Sequence, residues 1–265
     1  MINPIITIWK SLIGKPILFP FYSARKKMAY RYLRGHGLEI GALHHPLEIL
    51  PGVIVKYVDY VSREENIKKY KGIDSSAIVV TDQLEDGFEL SGIPSDSQDF
   101  IIANHLLEHS PNPLQVLINW NRVLKNNAIV YLTLPNGNKS FDRGRPITSI
   151  SHIVEDFNLV KNGVVDVYTA RNRDHYREFV EISIPNLHLV HRNLKVYRTD
   201  EEKNTYIDKL AGINSSDAHY HVFSKASFVE FINHVIAYYL DNLQLVEIVS
   251  SRGDKEFIAI IRKVD

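Results

Sequence analysis

Glu39, Gly41 and Asp59 are the residues best placed by type and spacing to hold a nucleoside, within Gly37-Leu38-Glu39-Ile40-Gly41-Ala42 and Tyr57-Val58-Asp59. That chemistry needs a glycine where the main chain passes close to a ligand, and an acid ending the next strand to accept from ribose hydroxyls. The interval from Gly41 to Asp59 fits the roughly 20 residues expected between such a turn and such a carboxylate. Imidazoles form the second set, since the chain has 12 histidines. His219-Tyr220-His221 would place two rings on one face of an extended segment, and Asp217 could add a carboxylate, so a transition-metal site is conceivable. A hydrogen-bonded core or an acceptor pocket fits better, and no metal is expected, because no fully spaced metal motif accompanies the cluster. His44 and His45 are adjacent and cannot point the same way along regular structure.

The elements that must position these groups follow from periodicity. Strands are expected near residues 37–41, 54–60, 77–81, 99–103 and 128–134, with an amphipathic helix from Asn112 to Lys125. After Pro135 the pattern is interrupted as far as about His221, too long a stretch to be structureless. Asp166 to Ile182 reads as a helix within it, with Tyr168, Tyr176 and Phe179 offering packing surface. Ser224 is placed to cap a helix through Leu240, and strands follow at Leu243 to Val249 and Glu256 to Arg262.

Gly35, Gly37 and Gly41 invite a dinucleotide reading. Those glycines would have to follow the first strand and open a helix, whereas Gly35 and Gly37 precede the apolar Leu38 and Ile40. One glycine after a strand with an internal Glu39 resembles instead the class I S-adenosylmethionine-dependent methyltransferases. Asp99-Phe100-Ile101-Ile102-Ala103-Asn104-His105-Leu106-Leu107-Glu108-His109 is similar to their fourth strand and turn, Arg122-Val123-Leu124-Lys125 to the end of the next helix, and Ala128 to Leu134 to the fifth strand. Asn126-Asn127 replace the more familiar proline-glycine turn, a mild departure because Asn tolerates left-handed geometry. The resemblance implies an α/β, Rossmann-like sheet, mostly parallel with an antiparallel last strand, and S-adenosylmethionine as cofactor. It implies Gly41 beside the methionine and ribose, Asp59 on the ribose hydroxyls, and Glu39 near the ammonium or ordering the glycine loop. Asp82 would lie near adenine, and Asn104 and His105 on the methionine side.

Gly41-Ala42-Leu43-His44-His45-Pro46, Phe141-Asp142-Arg143-Gly144-Arg145-Pro146 and Asp217-Ala218-His219-Tyr220-His221-Val222-Phe223 together resemble a narrower group. These are bacterial methyltransferase-domain proteins associated with surface-polysaccharide synthesis, in which an acid often stands where this chain has Gly144. The resemblance implies methylation of an oxygen in a sugar, nucleotide sugar or nascent surface glycan. Another small metabolite as acceptor, a non-catalytic scaffold in a glycan-assembly complex, and an NAD-dependent sugar enzyme stay open. His219, His109 and His152 are the candidate bases, in that order, since imidazole titrates in the right range. Arg143 and Arg145 either clamp a phosphate or carboxylate or fasten the segment that carries them, and His221 is expected to face the acceptor.

At 265 residues and 45% hydrophobic content, one elaborated domain is expected: an arm and helix over 1–34, then a methyltransferase domain over 35–265 with 136–222 as an inserted acceptor-binding cap. Lys+Arg and Asp+Glu both total 31, which gives no electrostatic case for nucleic acid. There is no Cys, so neither disulfides nor thiolate-bound zinc hold the fold. The N-terminal cluster Ile5, Ile6, Ile8, Trp9, Leu12 and Ile13 is too interrupted to span a bilayer and reads as a core-docking or homodimer-forming arm, or an interfacial helix. Behind it Arg25, Lys26, Lys27, Arg31 and Arg34 leave contact with anionic lipid or a lipid-linked glycan open. A cytoplasmic protein, at most membrane-peripheral, is the expectation.

Overall fold

The computed structural model describes residues 23–191, 194–212 and 218–265. The apolar arm and Asp217 lie outside the described residues. Helix α1 (Ala24–Tyr32) leads into strand β1 (His36–Ile40), then β2 (Ile54–Asp59), helix α2 (Arg63–Lys69), β3 (Gln83–Leu84) and β4 (Gln98–Asn104). Helix α3 (Pro113–Val123) and β5 (Leu124–Pro135) complete the first half. Helix α8 (Lys225–Tyr238), β6 (Leu243–Ser250) and β7 (Glu256–Lys263) close the chain. Between β5 and α8 lie α4 (Ile150–Lys161), α5 (Val165–Glu178), α6 (Ile184–Val190) and α7 (Asp200–Gly212), with a π-turn at Phe179–Ser183.

The seven strands form one sheet in the order β3-β2-β1-β4-β5-β7-β6, parallel except for β7. Phe100, Ile101, Ile102 and Ala103 of β4 are all fully buried, as a central strand covered on both faces requires. On one face Trp120 of α3 and Phe228, Phe231 and Val235 of α8 pack with Leu38, Ile101 and Val130, and α4 adds Ile153 and Phe157. On the other, Met28, Ala29 and Leu33 of α1 cover Phe100, Ile102, Tyr131 and Ile260. A third core of Tyr176, Phe179, Val180, Ile207, Leu210 and Tyr220 holds the inserted helices together. Among the described residues no helix is long and apolar enough to cross a membrane.

Local chemistry sets the ends of these elements. The Asn112 side chain accepts from Gln115 N with Pro113 in the first turn of α3, and Ser224 with Ser227 makes a reciprocal cap on α8. Asn126-Asn127, expected as a turn, lie inside β5, where Asn127 adopts φ +66 beside a register shift with β4. The third strand departs from its sequence-based position. The apolar run at residues 78–80 does not join the ladder, because Val79 N donates to Leu43 O of the loop after β1, and pairing with β2 begins only near Asp82.

The order of strands reverses between β1 and β4, and in open α/β sheets ligands bind in the crevice outside the carboxyl ends at such a point. Gly41, Asp59 and Asn104 all stand at those ends. No helix follows the Gly41 turn, and the chain runs as loop to β2. That differs from a dinucleotide fold, whose glycine turn opens a helix.

Candidate active site

Gly41 adopts φ +66, and a Cβ built there would meet only Leu106 Cδ1, at 3.9 Å, so the backbone borders open space. Glu39 points instead into the protein. It is buried and accepts from Leu47 N at 2.9 and 3.1 Å and from Asn104 Nδ2 at 3.2 Å, while Asn104 Oδ1 accepts from Thr133 Oγ1 at 2.7 Å. Burial pushes the Glu39 carboxyl up to about 7 against these donors. Of its two expected roles the geometry supports ordering the glycine loop. Asp59 at the end of β2 accepts from Val61 N at 3.2 Å and Asn66 Nδ2 at 3.0 Å, which leaves each oxygen a further lone pair for a ribose hydroxyl.

Asp82 is corrected by the topology. It precedes β3 and its carboxylate accepts from Tyr57 N at 2.8 Å, so it is tied to the flank of β2, away from the carboxyl end. The exposed acid that follows β3 is Asp86, next to Gly87, where an added Cβ would collide with Ile40 Cγ2 at the end of β1. The Asp86 carboxylate accepts from Phe88 N at 2.8 Å. An open glycine, a ribose-type carboxylate and a third acid along one crevice fit S-adenosylmethionine.

His105 has φ +51 at the end of β4, and its ring joins a run of charges. Arg25 of α1 pairs with Glu256 of β7 through two contacts of 2.9 and 2.5 Å, His105 Nε2 lies 2.8 Å from Glu256, and His105 Nδ1 is 3.4 Å from Glu108. Burial opposes charge on His105, but Glu108 and Glu256 outweigh it and push the ring to about 9. The same contacts overcome burial at Glu256 and hold it at about 2. Lys26 and Arg31 of the basic helix are likewise paired, with Glu48 and Glu247.

Glu108 is the hinge between this network and the insertion. Its backbone oxygen accepts from Tyr220 N and His221 N, which seats the returning segment on the turn Leu107–His109. Its buried carboxylate, His109 and His219 each bring a polar atom within 4.8 Å of the others. His219 Nδ1 lies 2.6 Å from Asp142 Oδ2, and the two rings His109 and His219 meet edge to face at 4.6 Å. Asp142 is buried, yet His219, Arg145 and Ser183 hold its carboxyl down at about 2. As an ionised carboxylate only accepts, Nδ1 of His219 carries a proton, and Nε2 is the atom that offers a lone pair whenever the ring is neutral.

Three expected roles change here. Arg145 is fully buried and donates to Asp142 Oδ1 (3.0 Å), Glu178 Oε2 (3.2 Å), His219 O (2.8 Å) and Tyr220 O (3.3 Å), so it fastens the insertion and cannot join Arg143 in a clamp. Arg143 is exposed. His152 is not with the other candidate bases: its Nε2 faces His175 Nε2 at 3.1 Å and Asp156 Oδ2 at 3.0 Å. His221 is buried with that second group and bonds Pro111 O at 3.4 Å, so it does not face an acceptor. His219 and His221 part, the first pairing with Asp142 and the second joining the His152 group, while Tyr220 between them bonds Tyr176. Sequence reasoning missed Arg25, Glu256, Asp86 and Asp142 as participants, although Asp142 lay inside a motif already singled out.

The charge network fixes the pH range of stability. Asp142 and Glu256 have lowered pKa values, so their contribution is present above the ordinary carboxylate range and is lost as pH falls towards about 2. His105 is raised, so its contribution is complete below 6.5 and is lost as pH rises through about 9. The melting temperature should fall on the alkaline side between those values, and His105→Gln should flatten that limb while leaving the acid limb. An unchanged alkaline limb in His105→Gln refutes the assignment.

Residues 37–132 match a family model described as methyltransferase domain. The stretch runs from β1 into β5 and contains Gly41, Asp59, Asp86 and Asn104. Among solved structures, the chain is similar to a SAM-dependent methyltransferase from Aquifex aeolicus (12% identity, 100% of each chain, TM-score 0.46). It is also similar to a putative Zn-dependent alcohol dehydrogenase from Rhodobacter sphaeroides (12%, 100% of each chain, 0.48). A third is a putative S-adenosyl-L-methionine-dependent methyltransferase from Methanococcus maripaludis (13%, 89% of this chain and 80% of that chain, 0.42). No curated protein matches the chain. The matched stretch, less than half of the chain, is similar to a methyltransferase domain.

Proposed function

We propose that the chain methylates a hydroxyl oxygen of a sugar, nucleotide sugar or nascent surface glycan, with His219 as general base. The observation that carries the reading is the 2.6 Å contact of His219 Nδ1 with the ionised Asp142. It fixes the ring and its tautomer, a buried arrangement that serves proton transfer. S-adenosylmethionine, when bound, supplies an electrophilic methyl group. Gly41 and Asp59 would hold its ribose and methionine end, and Asp86 would be the acid on its adenine side. Nε2 of His219 would take the hydroxyl proton as the acceptor oxygen bonds the methyl carbon and the methyl–sulfur bond breaks, with S-adenosylhomocysteine leaving. The imidazolium so formed stands between two buried carboxylates, Asp142 and Glu108, both held below the ordinary carboxylate range. The acceptor class rests on the resemblance of the motifs around Gly41, Asp142 and His219. Of the two arginines only Arg143 is exposed to meet an anionic acceptor.

Calorimetry and label transfer test this directly. S-adenosylhomocysteine should bind and NAD should not, and label from methyl-labelled S-adenosylmethionine should enter a sugar, nucleotide-sugar or glycan fraction. Gly41→Val should abolish cofactor binding, because φ +66 is strained for any side chain and the valine fills the open crevice. Asp59→Ala should weaken it by about 1.5–3 kcal/mol per lost charged hydrogen bond. NAD binding in place of S-adenosylhomocysteine would overturn the assignment, and cofactor binding with no transfer to any fraction would favour a scaffold.

A further inference from the structure

We propose that His152, Asp156, His175 and His221 bind one divalent transition-metal ion of the zinc class, which pins α4 and α5 to the segment returning to the sheet. His152 and Asp156 stand four residues apart on α4, His175 lies on α5, and His221 comes from the return segment. One donor atom of each lies within 4.8 Å of all the others. Donors 2.0–2.1 Å from a tetrahedral ion stand roughly 3.3 Å apart. The separations of 3.1 Å between His152 Nε2 and His175 Nε2, and 3.0 Å between His152 Nε2 and Asp156 Oδ2, are close to that.

A hydrogen-bond network accounts for the cluster poorly. His152 Nε2 faces two partners and can donate only one proton. His221 Nδ1 is buried without a hydrogen-bond partner, and Asp156 Oδ2 is buried with only the 3.0 Å ion-pair contact to the already shared His152 Nε2. Both atoms belong to residues of this one group, and a cation would satisfy both at once. The outer contacts are those that steady metal ligands: His221 Nε2 bonds Pro111 O, and Asp156 Oδ1 accepts from Arg171 Nε at 2.5 Å. Three imidazoles and a carboxylate form a sulfur-free set suited to zinc. With four protein donors the site is closed, the pattern of a structural ion. It is distinct from the Glu108, His109 and His219 group, although His219 and His221 are two residues apart.

The test is metal content of the full chain, stripped with chelator and reloaded with Zn²⁺ or Co²⁺. Wild type should take up one ion per chain, and its Co²⁺ form should show the visible bands of a four-coordinate site, a readout that needs no variant. His221→Ala and Asp156→Asn, checked for folding by circular dichroism, should lose the ion, while His219→Ala should retain it. Failure of the folded wild type to bind either metal overturns the proposal. So does loss of the ion in His219→Ala with retention in His221→Ala.

Discussion

His219→Ala should lower methyl transfer by about 10²- to 10⁴-fold, the range of a lost general base, while S-adenosylhomocysteine affinity stays unchanged. The separation follows from position. His219 sits on the return segment against Glu108, and none of the cofactor-edge residues Gly41, Asp59 or Asp86 contacts it through a hydrogen bond among the described residues. Asp142→Asn tests the same chemistry without removing the imidazole. An amide can donate to Nδ1, which would move the ring proton to Nε2 and remove the lone pair that accepts from the hydroxyl. Turnover should therefore fall in Asp142→Asn, with cofactor binding again retained. His109→Ala should have the smaller effect, because Nδ1 of that ring is tied to Ala218 O at 3.1 Å. His152→Ala should leave the rate per folded molecule close to wild type. Retained turnover in folded His219→Ala and Asp142→Asn would dismiss the base, leaving positioning alone to account for transfer.

The strand ends proposed to hold the cofactor were legible in the sequence because they are local. A strand, its terminal glycine and the acid ending the next strand lie within about twenty residues, and parallel pairing puts their carboxyl ends side by side. The third strand misled for a physical reason: Ile78-Val79-Val80 has the composition of a strand, but its backbone is spent on the loop after β1. With the strand displaced to Gln83–Leu84, Asp82 precedes it and Asp86 follows it. The proposed base and its partner are separated by 77 positions, and only the packing of residues 136–222 brings them together. Arg145 shows the limit most clearly. Spacing alone makes it the twin of Arg143, yet the two point to opposite environments, one fully buried and one exposed. Nothing in one sequence distinguishes an arginine that neutralises a buried acid from one that waits for an anion.

That distinction has a large measurable consequence. Arg145→Ala should destabilise the fold by about 3–5 kcal/mol, the cost of breaking a buried ion pair by removing one partner. The guanidinium is the only cation hydrogen-bonded to Asp142 among the described residues, and it also satisfies the carbonyls of His219 and Tyr220. Its loss leaves a buried carboxylate and two backbone acceptors without those donors, on the segment that carries the proposed base. Arg145→Lys should recover only part of the stability, since one ammonium cannot reach in a plane towards Asp142, Glu178 and two carbonyls. Arg143→Ala, at an exposed position, should shift stability by no more than about 0.5 kcal/mol. Denaturant unfolding of the three variants gives the comparison, and acceptor kinetics on the folded fraction completes it. A wild-type unfolding midpoint in Arg145→Ala, with acceptor use weakened, would show that Arg145 meets the acceptor and would restore the paired clamp. A lowered midpoint with transfer lost in step with folding fixes Arg145 as the bolt of the insertion and leaves Arg143 alone to select for charge.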